Sequence, residues 1–216
     1  MRSEETKDPK LPDTADSPHS SPRTPHSDFW NVPNILTLSR LPLAVVLFVC
    51  ISHEAWFAAL VVFGIAALTD WIDGWWARRF NQQSAFGRVF DPLTDKILLG
   101  GAFIFLVPVR ESGMKAWMAT VIICRELLIT GVRGYVESLG KKFGADWFGK
   151  LKTVLQCLSL AVILAVLSVR SQSWAENHLD LLETLQLALL YAMLAATVGS
   201  GIQYCWRAVW LLREVK

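Results

Sequence analysis

No two cysteines in this sequence have the spacing of a metal-binding or redox motif. The four cysteines lie singly inside apolar segments, at Cys50, Cys124, Cys157 and Cys205. We interpret them as small buried hydrophobic residues and expect neither zinc binding nor a redox role. A large excess of charge of either sign is also lacking, because the formal net charge is only +2 over 216 residues. Net charge therefore indicates no class of partner, and no nucleic-acid partner is expected.

Charged residues are scarce, and long apolar segments take their place. Hydrophobic residues make up 53% of the sequence and charged residues 19%, which is too apolar, in long blocks, for an ordinary soluble domain. The segments predict an all-α integral membrane protein, a bundle of six transmembrane helices with a polar cavity facing the cytoplasm. The predicted helices cover residues 33–51, 55–80, 86–109, 115–139, 149–169 and 179–212.

The two ends of the chain differ in character. Residues 1–28 are rich in Ser, Pro, Thr and charge and have no apolar periodicity, so we expect a disordered cytoplasmic tail there and one six-helix domain over residues 29–216. The last predicted helix contains Gly199, Ser200 and Gly201. These small residues are typical either of a bend or of close packing against another helix.

Basic residues are divided unevenly between the predicted connections. Those between helices two and three and between helices four and five carry eight: Arg78, Arg79, Arg88, Arg133, Lys141, Lys142, Lys150 and Lys152. The connections on the other side carry only Arg110, Lys115 and Arg170. By the positive-inside rule the richer side is cytoplasmic, and both termini are expected there too.

Four carboxylates lie at this cytoplasmic side of the second and third predicted helices. Asp70 and Asp73 are spaced i,i+3, and Asp91 and Asp95 are spaced i,i+4, so each pair lies on one face of its helix. An uncompensated Asp at the centre of a transmembrane helix costs about 2.5–3.5 kcal/mol. Divalent cations, Mg²⁺ or Mn²⁺, would offset that cost, and four carboxylates are enough for about two ions.

Small residues and an arginine adjoin these carboxylates. Gly74 and Ala77 leave the helix surface open beside them, and Gly87 does so on the next helix, so a bulky ligand can approach. Arg78 offers a planar, permanently charged fork to phosphate. The pattern favours a nucleotide or pyrophosphate in this groove; the alternative for Gly74 and Ala77 is helix packing alone.

The spacing of these residues resembles the signature of the CDP-alcohol phosphatidyltransferases. Asp70, Asp73-Gly74 and Ala77-Arg78 are followed after eight residues by Gly87, and then, after three residues each time, by Asp91 and Asp95. The resemblance implies that all four aspartates bind divalent metal and that Asp95 is also the general base. It further implies CDP contacts by Gly74, Ala77, Arg78 and Gly87. Spacing alone leaves open which aspartate is the base.

Three further stretches, residues 31–40, 124–133 and 149–153, resemble the members of that family whose acceptor is glycerol 3-phosphate. The resemblance implies transfer of a phosphatidyl group from CDP-diacylglycerol to this acceptor, with release of CMP, in a bacterial inner (cell) membrane. Membrane lipids are the expected surroundings, and a homodimer is an open alternative to a monomer.

The acceptor is a dianion and needs cations of its own. The candidates are Arg125, Arg133, Lys150 and Lys152. Arg125 is the most informative, because a charge inside an apolar helix is expected to face a bundle interior or a watery cavity. A structural ion pair with the adjacent Glu126 is the alternative.

Three polar residues recur near the start of the first predicted helix. Asn34, Thr37 and Arg40 are spaced i, i+3, i+6 and so share one helix face. We predict that they line the nucleotide pocket; the alternative is that Asn34 and Thr37 cap the helix.

Two other functions remain open at this point. Inositol phosphate, serine or phosphatidylglycerol could replace glycerol 3-phosphate, although the basic residues favour a phosphorylated acceptor. A divalent-cation transporter also carries intramembrane aspartates. Clustering of the carboxylates at one side, next to Arg78, argues against a pathway through the membrane.

Overall fold

Six long α-helices make up the described part of the chain. The computed structural model describes residues 32–80, 85–139, 147–172 and 178–213, and no strand occurs among them. The helices are α1 (Val32–Ser52), α2 (Trp56–Phe80), α3 (Ala85–Leu106), α4 (Ala116–Ser138), α5 (Trp147–Val169) and α6 (Leu179–Arg213). The all-α prediction is confirmed. The predicted disordered tail, residues 1–28, lies outside the described residues, as do Lys141 and Lys142.

The end of α3 is where the structure departs most from the predicted boundaries. This helix ends at Leu106 and not at residue 109, because Pro108 has no N–H to donate and disfavours a helical conformation in the residue before it. A short 3₁₀ turn, Arg110–Ser112, follows, and Gly113 closes it at φ 68°. That left-handed conformation favours glycine.

Packing divides the helices into two groups. The most extensive contacts join α1 to α2 and α3, and α6 to α5 and α4, while α2 against α5 connects the groups. One continuous core of buried apolar side chains runs between them and includes Leu47, Phe63, Phe103, Met118, Leu160 and Met193. Each helix thus contributes at least one buried residue to the same interior.

The outer surface of the bundle is also apolar. Within the described residues, Gly149–Val169 and Leu179–Trp210 are long and apolar enough to cross a bilayer. Large apolar side chains on several helices are exposed, among them Leu68, Leu128, Ile202 and Trp206. Monomeric soluble proteins rarely expose apolar patches of this extent, so this surface is typical of a membrane protein.

The small residues of α6 serve close packing. A Cβ atom on Gly201 would lie 3.2 Å from Cγ of Arg125 on α4, whereas one on Gly199 would meet nothing within 4 Å. The helix is continuous through both positions. Of the two interpretations of this stretch, close approach of two helices is therefore the one observed, and it depends on Gly201.

All four cysteines are free, but not all of them are buried as predicted. Cys50 and Cys157 are half-buried, whereas Cys124 and Cys205 are exposed on α4 and α6. The prediction of burial was wrong for the latter two. On a helix with an apolar outer face, an apolar side chain need not face the interior.

Candidate active site

A buried arginine brings together two of the predicted aspartates. Arg40 of α1 is 2% exposed, and its Nη1 lies 2.7 Å from Oδ1 of Asp70 on α2 and 3.1 Å from Oδ1 of Asp95 on α3. The two carboxylates are about half exposed. Arg40 therefore holds the aspartates of two helices close together. About half of each aspartate side chain stays exposed on the side that does not contact Arg40.

The other predicted residues of this site are described only as backbone. Asp73, Gly74, Ala77 and Arg78 lie on α2, Gly87 and Asp91 on α3, and Asn34 and Thr37 on α1, and their side chains lie outside the described part. Because α2 and α3 are continuous helices, Asp73 shares a broad face with Asp70, and Asp91 with Asp95. Helix α1 begins at Val32, so Asn34 and Thr37 lie within its first two turns.

Two of the predicted acceptor cations meet at one carboxylate. Glu126 of α4 bonds Lys152 of α5 through Oε1, and the same oxygen lies 3.3 Å from Nη1 of Arg125. Arg125 also donates from Nη2 to the Ser200 hydroxyl on α6 at 2.9 Å. The ion pair of Arg125 with Glu126, which the sequence offered as an alternative, is present. It does not remove Arg125 from the cluster, since Lys152 competes for the same carboxylate.

The third predicted cation reaches the cluster through a tyrosine. Arg133 donates from Nη2 to the Tyr204 hydroxyl at 2.9 Å. The guanidinium carbons of Arg133 and Arg125 lie 5.6 and 5.7 Å from the centroid of the Tyr204 ring, within the range of cation–π attraction. Lys150 is different: it is exposed, and no described residue bonds it.

A cavity of about 420 Å³ is lined by Lys152 and Glu126 of this cluster together with Asp95, whereas Arg125 and Arg133 do not line it. It lies between α3, α4 and α5, and its polar lining residues are Asp95, Lys96, Glu126, Lys152, Thr153 and Gln156. Two carboxylates, Asp95 and Glu126, and two lysines, Lys96 and Lys152, thus share one cavity.

Sequence reasoning missed Lys96, Gln156 and Tyr204. Lys96 follows Asp95 directly, lines the same cavity and bonds the Thr130 hydroxyl of α4. The signal for it was its position beside the last aspartate of the signature. Nothing in the sequence marked Gln156 or Tyr204, because their roles depend on how α5 and α6 are rotated against α4.

The donor set fits a divalent cation. Asp70 and Asp95 present carboxylate oxygens on the open side of Arg40, and hard ions such as Mg²⁺ prefer oxygen ligands. Asp73 and Asp91 are on the adjoining helical turns. Among the described side chains no group of three potential ligands assembles, since two of the four predicted ligands are not among them.

Comparison with known proteins identifies the family. The model of the CDP-alcohol phosphatidyltransferase family matches residues 30–199. The chain belongs to this family. The match includes α1 to α5, all four aspartates and the cation cluster apart from Ser200 and Tyr204 on α6.

Several curated relatives of the chain carry the same enzyme name. The chain is 34% identical over 180 residues to the CDP-diacylglycerol–glycerol-3-phosphate 3-phosphatidyltransferases of Shigella flexneri serotype 5b and of Escherichia coli strain K12. Each alignment covers 81% of this chain and 93% of the relative. Membership in a transferase family leaves the cation-transporter alternative without support.

Proposed function

We propose that this protein transfers the phosphatidyl group of CDP-diacylglycerol to glycerol 3-phosphate, giving phosphatidylglycerophosphate and CMP. The observation that carries the proposal is the alignment with enzymes of this name over 93% of their length. The geometry agrees with it, because Asp95 lines the same cavity as Lys96 and Lys152, and Lys152 pairs with Glu126 there.

The carboxylates serve the donor substrate. The CDP-alcohol phosphatidyltransferase family is generally dependent on divalent metal, and such ions neutralise the diphosphate and stabilise the leaving group. Asp70, Asp73, Asp91 and Asp95 would hold them. Gly74, Ala77, Arg78 and Gly87 would contact the CDP moiety, and Asn34 and Thr37 of α1 would line the nucleotide pocket. Arg40 fixes the relative position of Asp70 and Asp95.

The cation cluster serves the acceptor. Arg125, Arg133 and Lys152 already converge on Glu126 and Tyr204, and Lys96 adds a fourth positive charge on the cavity wall. A phosphate dianion entering there replaces Glu126 as the partner of Arg125 and Lys152. Lys150, exposed at the start of α5, attracts the dianion from the solvent.

The transfer itself needs one proton acceptor. Asp95 takes the proton of the primary hydroxyl of glycerol 3-phosphate, and the oxygen attacks the phosphorus atom that carries the diacylglycerol. A new P–O bond forms there while the bond from that phosphorus to the bridging oxygen breaks. The electron pair leaves with CMP, and Arg78 stabilises its charge.

The membrane placement follows the distribution of charge and apolar surface. All six helices cross a bilayer in this proposal, with the carboxylates and both termini on the cytoplasmic side. Exposed apolar residues such as Leu128 and Trp206 then contact lipid, and the water-soluble substrate enters from the side where it is made.

The test is CMP release by the purified protein in detergent with CDP-diacylglycerol and Mg²⁺ or Mn²⁺. Separate reactions contain glycerol 3-phosphate, inositol phosphate, serine or phosphatidylglycerol. We expect CMP with glycerol 3-phosphate and a chelator-sensitive rate. CMP with a different acceptor only would overturn the choice of acceptor, and no CMP with any of them would overturn the transferase.

A further inference from the structure

Gln156 of α5 is a buried amide with an unused donor. The residue is 3% exposed, and its Nε2 has no hydrogen-bond partner within the described residues. Buried amide N–H groups are rarely left without an acceptor, because desolvation is costly unless a bond replaces water. Since Gln156 lines the cavity next to Asp95 and Lys152, a ligand in that cavity is the natural source of the missing acceptor.

The position of Gln156 along the cavity limits which ligand group it can meet. It lies one helical turn, about 6 Å, further into the bundle than Lys152. The other cavity residues at that depth are apolar: Leu99, Ile122 and Ile123. The charged lining residues, Asp95, Lys96, Glu126 and Lys152, all lie about one helical turn nearer the end of the bundle that holds Asp95. A phosphate is therefore held at the level of Lys96 and Lys152, and a neutral polar group is what fits beside Gln156.

We propose that Gln156 binds the secondary hydroxyl of glycerol 3-phosphate and so selects this acceptor; the inference rests on the proposed function. The acceptor has three polar groups. Its phosphate pairs with the cations, and its primary hydroxyl faces Asp95, which leaves the secondary hydroxyl between them. That hydroxyl accepts a hydrogen bond from Gln156 Nε2 and so supplies the acceptor that this N–H group lacks. Gln156 is a specificity-determining residue and takes no part in proton transfer.

The test compares two acceptors that differ only in this hydroxyl. CMP release is measured with glycerol 3-phosphate and with 3-hydroxypropyl phosphate, which has the same chain and no secondary hydroxyl. We expect kcat/KM of the unmodified protein to favour glycerol 3-phosphate by about tenfold or more, since a site built to bond a hydroxyl rejects the analogue without it. In Gln156→Met the preference should fall to near unity, mainly through the rate with glycerol 3-phosphate. Gln203→Met, at an exposed glutamine of α6, should keep the full preference.

The outcomes separate this inference from the proposed function. Equal rates with both acceptors in the unmodified protein would overturn the role of Gln156 while keeping the transferase, and this result needs no variant to fold. An unchanged preference in Gln156→Met would overturn it as well. No CMP with either acceptor in the unmodified protein would overturn both.

Discussion

At the end of the bundle that holds Asp95, charged side chains bond one another across helices; at the opposite end, polar side chains bond mainly to the backbone. Arg40 bridges Asp70 and Asp95, and Glu126 bridges Arg125 and Lys152. These partners are all charged side chains. Each can exchange its protein partner for a charged ligand without leaving a backbone group unsatisfied.

The opposite end is built around Ser112 and Gln186. The buried Ser112 hydroxyl lies 2.8 Å from the carbonyl oxygen of Leu106 and 2.6 Å from that of Val109, and it accepts the N–H of Met114 at 3.1 Å. Gln186 of α6 donates to the carbonyl oxygens of Glu111 and Ser112 at 3.0 and 2.8 Å. No ligand can replace such bonds without opening the turn. The end that holds Asp95 is therefore arranged for exchange of partners, and the end around Ser112 and Gln186 is arranged for rigidity.

Asp95→Asn should have the largest effect of the changes that test this comparison. The amide cannot take the proton of the acceptor hydroxyl, so we expect the rate of CMP release to fall by about 10³-fold. The thermal midpoint should change little, because the Asp95 side chain is 44% exposed. Asp180→Asn, in the first turn of α6 at the opposite end, is the matched control and should keep the full rate. A near-normal rate in Asp95→Asn would remove this residue from the mechanism.

Arg40→Lys should have the second-largest effect on the rate of CMP release. Lysine keeps the charge, but its ammonium does not reproduce the position of a guanidinium nitrogen that contacts two carboxylates. We expect the rate to fall by about 10–100-fold, as for other partners that orient metal ligands, and the Mg²⁺ concentration for half-maximal rate to rise. Arg110→Lys, exposed at the other end, is the control. An unchanged metal dependence in Arg40→Lys would separate Arg40 from the carboxylate site.

Ser112→Ala should lower stability without lowering activity. The substitution removes the bond that the hydroxyl donates and leaves the N–H of Met114 in a buried turn without its acceptor, whereas the carbonyl oxygens of Leu106 and Val109 keep their backbone N–H donors. We therefore expect a loss of about 1–3 kcal/mol in the free energy of unfolding. Thermal unfolding in detergent measures it, alongside CMP release at a temperature where the variant is folded. Ser138→Ala removes an exposed hydroxyl bonded to the Tyr135 carbonyl and should change neither. Equal midpoints for the two variants would contradict the rigid role of this end.

Arg170→Gln should have the smallest effect. Arg170 pairs with Glu183 at 2.8 Å, but both side chains are 40% exposed. Ion pairs of this kind contribute about 0–1 kcal/mol and weaken with salt. A shift in the thermal midpoint that is small and vanishes at high salt is the expected result. A large shift that salt does not affect would mean that the opposite end also depends on charge.

Hydropathy alone gave most of the fold. Five of the six predicted helices begin and end within two residues of the observed ones, because the length of an apolar run and the need to satisfy the backbone internally determine where such a helix begins and ends. The exception, the end of α3 at Leu106 before Pro108, depends on a local steric effect that an apolar run hides.

The site was predictable where it depends on spacing along one helix. Helical periodicity paired the aspartates along each helix and placed Arg40 on one face with Asn34 and Thr37. The contact of Arg40 with both Asp70 and Asp95 joins three helices and was not predicted. Tyr204 and Gln156 were missed for the same reason: their contacts depend on the rotation of each helix about its axis. A hydropathy pattern with apolar residues on all sides does not specify that rotation.

The bridge made by Arg40 also has a consequence for biosynthesis. During translation α1 leaves the ribosome before α2 and α3, so in the proposed membrane placement Arg40 would enter the bilayer before Asp70 and Asp95 have been made. A buried guanidinium without its carboxylates is costly in lipid. In that placement we expect the first helix to reach its final depth only after the third has been inserted, and a nascent chain halted after α1 to be held at the membrane surface or by the insertion machinery.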